Sequence, residues 1–542
     1  MKKLVILFSF LITTLMGGAQ SLADVKTAIY YHRPASAEIN LKNYLKQNEG
    51  DAEGWYLLSK LYLIDKRPEE AAASFASAPA GIENEPYWMI ARGGLYLLQN
   101  RSDSARACFD EAIRKTKGKD PDILYAVATL ETLAENGDAD YALAIIQKGL
   151  KKTKNDAPFY VLMGDAYRDL HNGGEAFKAY TAAIEKNKEL AEAYYELGDI
   201  FLSQKNSDLY LSYFNKAIQA DPGYGPALYE LYSHYVYTQP DPKKAMDYFQ
   251  KYLTVSDKSI QQAYGYADLL YLNKDYNGAI ARVKELLSKE GSKARPRIYK
   301  LAAYSYAELK DSASAVGYMQ NYFQHESDSN LIAKDFETMA DLYAATGSNV
   351  DSSIKYYQAA ASLAKDSGTL FQYYKKLATE AASGKDYVSQ AKWLAYYNTG
   401  NKNASNVDLF NWGLSSYRAA DYAMADSVFG MYTEKYPDQG FGYYWRARTN
   451  AVIDSGMAAG LAIPYYTKLT EMISPDSLSE SDKKWLLESY TYLAAYEANT
   501  KKNYEKAIDY FDKVLEIDPE NANAKKYIPI LEADSGKTGV TN

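Results

Sequence analysis

Along most of the chain, apolar residues recur three and four positions apart, in runs broken by short polar turns. Residues at that spacing share one face of a helix. Tyr160, Met163, Gly164 and Tyr167 make one such face, and Tyr180 and Ala183 begin the next. The pattern then repeats at an offset of 34, placing Tyr160 on Tyr194, Gly164 on Gly198, Tyr180 on Phe214 and Ala183 on Ala217. Large residues fall on large, glycine on glycine and small on small. Self-similarity at this period predicts stacked helix–turn–helix units, each burying its apolar face against its neighbours.

The rest of the chain reads as more or less faithful copies of residues 157–222. A degenerate helical pair occupies 20–51, with Ala37, Leu41 and Tyr44 at second-helix spacing. A first array spans 52–259, opening on Trp55, with a looser copy at 120–156. A divergent array spans 260–405, weakest from 368, with a candidate hinge at 400–405. A third array spans 406–531 and ends in a capping helix from Asn521 to Leu531. The tail, 532–542, is small and polar and reads as disordered. Roughly thirteen units result.

One departure lies inside the template itself. Tyr210 stands where Ala71, Ala105 and Ala176 supply a small second-helix residue. A ring there predicts a wider helix pair at 191–222 than at 157–190.

The order Tyr194, Leu197, Gly198, Phe201, Phe214, Ala217, Pro222 resembles the tetratricopeptide repeat family. That resemblance implies an all-α fold, a right-handed superhelical α-solenoid of antiparallel helix pairs. It also implies a concave face that binds an extended peptide or a partner's helix. Residues two, five, nine and twelve of each first helix would point into that groove. They include Tyr56, Lys60, Tyr195, Asp199, Tyr229, Arg297, Lys300, Tyr304, Phe410 and Tyr417. The Lys/Asn/Arg clamp with which chaperone-tail binders of the family hold a terminal carboxylate is not matched by Tyr56 and Lys60, or by Val161 and Asp165.

Composition narrows the function. The net charge is −8, against the basic face that nucleic acid requires. A single cysteine, Cys108, allows neither an intramolecular disulfide nor a thiolate zinc cluster. Lys2 and Lys3, an apolar run from Leu4 to Met16, and the small residues Gly17 to Ala19 read as a secretory signal peptide cleaved after Ala19, or alternatively after Ala23. No other stretch is apolar enough to span a bilayer. The expected location is the periplasm, peripheral to the outer membrane in one version of the reading.

Catalytic signals are weak. His32, His171, His234 and His325 are scattered, in no metal-binding spacing. Ser535 to Thr538 imitates the end of a phosphate-binding loop, but Leu531 stands where glycine is required. No cofactor is implied. Asp-Ser followed by an aliphatic residue occurs at Ser104, Ser312, Ser427 and Ser477. This looks like the O-glycosylation sequon of secreted Bacteroidota proteins, and it also reads as helix N-caps.

The sequence thus favours a non-enzymatic periplasmic scaffold whose partners are other envelope proteins, active in assembly, transport or secretion. A glycan-binding protein and an enzyme with scattered carboxylates are the rival readings. Oligomeric state stays open.

Overall fold

The structure, a computed structural model, describes residues 21–153, 156–346, 350–474 and 478–536. The signal segment, Ser477 and the tail beyond 536 lie outside the described residues. Among the described residues the regular structure is 29 α-helices with no strand. They form fourteen consecutive pairs and a terminal helix, α29 (Ala522–Asp534), capped by Asn521. Within each of the two compact units described below, each pair stacks on the next, giving the helical repeat superhelix expected from the sequence.

Several pairs share one turn chemistry. A residue in the left-handed region ends the turn, and an Asn or Asp follows it as N-cap of the second helix. Lys205 (φ 57°) precedes Asn206, whose side chain accepts from the Leu209 amide at 3.3 Å to start α12 (Ser207–Ala220). Lys274 and Asp275, Lys310 and Asp311, Lys385 and Asp386, and Lys502 and Asn503 repeat the arrangement. Left-handed backbone costs a non-glycine residue about 1–2 kcal/mol, and the cap returns an amount of the same order.

The packing follows from the small positions. An added Cβ at Gly198 would stand 2.5 Å from Phe214 Cε1, and one at Gly93 would stand 2.2 Å from Phe109 Cε1. In each case the ring comes from the second helix of the same pair, sixteen residues on. Ala71, Ala105, Ala142, Ala176, Ala245, Ala279, Ala315, Ala425 and Ala507 are fully buried in successive second helices.

Tyr210 does not wedge its pair apart. A Cβ at Gly164 would lie 2.3 Å from Tyr180, matching the 2.5 Å at Gly198, so the glycine–ring contact is as close in one pair as in the other. The Tyr210 ring is buried against the next repeat instead, and its hydroxyl meets His234 Nδ1 at 2.7 Å. His234 opens a π-helical turn, His234–Thr238.

The chain divides into two compact units, 1–292 and 293–542. The division falls within the stretch read from sequence as the divergent array. Residues 401–405 form a tight connection between α22 (Tyr387–Gly400) and α23 (Asn406–Arg418). There the Asn398 amide donates to the Asp408 carbonyl at 3.3 Å, and Lys375 pairs with the Asp408 carboxylate at 2.9 Å. That turn is therefore pinned within the second unit, in contrast to the expected hinge.

Candidate functional site

In the first unit the helices that begin each repeat line a cavity of about 950 Å3. They are α3 (Ala52–Asp65), α5 (Pro86–Leu98), α7 (Pro121–Leu133), α9 (Ala157–Asp169) and α11 (Ala191–Ser203). Spacing three and four apart puts Tyr56 and Lys60 on one face, and Asp122, Tyr125 and Thr129 on the next. Val161, Asp165 and Arg168 follow, then Glu192 and Glu196.

One side of the cavity is walled by α1 (Leu22–Tyr30), the turn after it and Pro34 at the start of α2 (Pro34–Gln47). The turn between them reaches across to residues 221–257. The Arg33 guanidinium donates to the Val255 carbonyl. The Ala35 amide donates to Asp257 Oδ2 at 2.9 Å, and the Ser36 amide and hydroxyl donate to the same carboxylate. Tyr30 packs on the buried Tyr224 with ring centres 5.5 Å apart. The groove of this unit is thereby walled on that side, a half-open chamber.

Its electrostatics are unusual. Burial raises Asp165 above the ordinary carboxylate range, the Tyr180 hydroxyl at 2.7 Å counters this, and repulsion from Glu192 adds to it. Burial also raises Glu196, with repulsion from Asp165 added and Arg168 opposing. Glu192 is raised by burial, against the attraction of Lys60. Burial lowers Lys60, which Glu192 and Asp165 partly offset. Arg168 bridges Glu196 and Asp199, the latter at 2.5 Å.

The groove residues expected from sequence divide by location. Tyr56 and Lys60 line the chamber. Asp199 is taken up by Arg168, and Tyr195 packs between Phe214 and Tyr224 at 5.6 and 5.7 Å. Tyr229 is exposed and leans on Tyr252. In the second unit Lys300 pairs with the fully buried Asp335 and lies over the Tyr322 ring, so it is committed to packing. Arg297 is exposed at the start of α17 (Arg297–Glu308), and Tyr304 is half-buried in it. Tyr417 packs against Tyr422 and Trp445.

Phe410 belongs to a second concavity of about 680 Å3, in the second unit. Phe441 and Trp485 stand edge to face at 4.9 Å there, with Phe410 5.8 Å from Phe441 and Tyr432 beside them. Val407 and Phe441 are 58% and 48% exposed, large apolar side chains left open to solvent. Most of the lining comes from the first helices α23, α25 (Gly440–Ile453) and α27 (Glu480–Tyr496), with Tyr432 added from a second helix.

Sequence reasoning missed Asp122, Tyr125, Arg168 and Glu196. The 34-residue register could have found the first two, but a three-residue insertion blurs it at 120–156. The closing segment carried no signal, since its partners lie some 220 residues away. Of the three Asp-Ser sites among the described residues, only Asp311 caps its helix, accepting from the Ser314 amide at 3.0 Å. Ser104 lies in the first turn of α6 (Ser102–Lys115), whose N-cap is Arg101. Ser427 is exposed within α24 (Tyr422–Lys435), its hydroxyl donating to the Ala423 carbonyl. The capping expectation therefore fails for those two.

Models of the tetratricopeptide repeat match residues 25–86, 161–225 and 489–521. No curated protein matches the chain. Among solved structures, the C-terminal part of a TPR repeat-containing protein from Cytophaga hutchinsonii is similar at 27% identity. That match covers 48% of this chain and 98% of the other, with a TM-score of 0.32. A tetratricopeptide repeat protein from Parabacteroides merdae is 15% identical over 54% of this chain and 97% of its own, with a TM-score of 0.22. Pseudomonas aeruginosa pilF is 16% identical over 45% and 98%, with a TM-score of 0.30.

Proposed function

Because this chain is a tetratricopeptide repeat protein, of a fold that typically joins proteins together, we propose that it is a non-enzymatic binding scaffold of the cell envelope. Its ligands are extended segments or helices of other envelope proteins. The observation that carries this reading is the aromatic concavity of the second unit. Phe410, Phe441 and Trp485 give rigid apolar walls, and Val407 and Phe441 are left uncovered. Large apolar side chains of a partner would fill that space, and aromatic anchors in such pockets dominate binding energy. The signal-like N-terminal sequence supports export, and no described helix is long and apolar enough to cross a membrane.

A photo-crosslinking residue at Phe441 tests the reading in envelope extract of the native host. The expected result is one or a few specific protein adducts, lost when Val407→Asp is added and retained with a surface change at Ile39. Absence of any adduct, or adducts indifferent to Val407→Asp, would overturn it.

A further inference from the structure

We propose that the chamber of the first unit is a receptor for a strongly basic side chain, the guanidinium or ammonium of an arginine- or lysine-bearing extended peptide. This site is separate from the aromatic concavity of the second unit and goes beyond the scaffold reading.

The first argument is the pairing of charges. Lys26 pairs with Glu53 at 2.5 Å, Arg168 is divided between Glu196 and Asp199, and Arg33 is turned to the Val255 carbonyl. Lys60 is then the cation left for Glu192 and Asp165, yet it makes no ion pair within 4 Å among the described residues. The Glu192 carboxylate likewise has neither an ion pair nor a side-chain hydrogen bond there. Both residues line the chamber and are half-buried. With no ion-pair partner among the described residues, the Glu192 carboxylate is compensated only at a distance and by solvent. An incoming cation supplies what is missing, through charge-assisted hydrogen bonds.

The second argument is the wall. Tyr30, Tyr56, Tyr87 and Tyr125 line the same space. Their faces attract a cation, and their rings suit the apolar stem of arginine or lysine. Among the described residues the carboxylates do not converge in a group able to hold a metal ion, so a dispersed organic cation fits them better.

The third argument is size and access. About 950 Å3 exceeds what one side chain fills and suits a few residues of extended chain. With α1 and the turn after it closing one side, a flexible segment can enter where a folded surface cannot.

Calorimetric titration of the full chain decides the matter. The probes are a blocked hexapeptide of alternating glycine and arginine, its citrulline counterpart, which is neutral and of the same shape, and its glutamate counterpart. The arginine peptide is expected to bind and the other two to fail. Glu192→Gln should weaken binding about tenfold or more, the scale of losing one partner of a buried charge pair. Lys60→Met should strengthen it, since a competing cation is removed. Phe441→Ala should leave it unchanged, which separates this site from the aromatic one. Absence of arginine-peptide binding, equal binding of the citrulline peptide, or loss of binding in Lys60→Met would overturn the proposal. The peptide comparison uses the unaltered chain and stands even if a variant fails to fold.

Discussion

Gly198 holds two helices together by having no side chain. A methyl group there would meet the Phe214 ring at 2.5 Å, and Phe214 is fully buried with little room to yield. Gly198→Ala should therefore destabilise the first unit by about 1–3 kcal/mol, read by chemical denaturation. Asp165 gives a pH-dependent counterpart. Burial raises its folded carboxyl, with Glu192 and Asp169 adding repulsion, and the Tyr180 hydroxyl and Arg168 opposing it. The folded state thus keeps a proton that the unfolded chain has already released. The associated stability is full below the ordinary carboxylate range and is lost as pH rises toward neutrality. Asp165→Asn should raise the melting temperature at about pH 8 and leave it nearly unchanged at about pH 4. The modification reading has its own test at this scale. Intact mass of the protein from its native host should exceed that of the mature polypeptide by whole glycan increments, and Ser427→Ala should remove one of them.

At the scale of the element, the turn rather than the helix carries the local information. The Lys-Asx pair recurs because the first residue must enter the left-handed region and the second must cap. Asn206→Ala should cost about 0.5–2 kcal/mol, since the Leu209 amide loses its acceptor, and the loss should register as earlier unfolding of the first unit. Helix pairing was legible from the period of 34, because Gly198 and Phe214 announce contact by size alone. Tyr210 was not. Its size suggested a wedge between its own helices, but its direction was set by a partner one repeat on, at His234. Groove residues divided for a similar reason. Lys60 has no ion-pair partner among the described residues and lines the chamber, whereas Lys300, another expected groove lysine, is tied to a buried aspartate.

At the scale of the whole molecule, closure of the first unit is the decisive event. Asp257 accepts from the Ala35 and Ser36 amides, so Asp257→Ala should loosen the turn that shuts the chamber. Hydrogen exchange should quicken at residues 31–36 while the stacked core of the unit keeps its protection, and equal protection throughout would contradict this account. The sequence by itself determined the repeat, the helix pairing, the glycine–ring contacts and the turns, all of which depend on residues within about one period of each other. The tertiary structure alone decided where the chain divides, that the first pair folds back across the groove, and which charges remain unpaired inside it. Those outcomes rest on contacts between residues far apart in the chain, such as Ala35 and Asp257, and a periodic pattern carries no record of them.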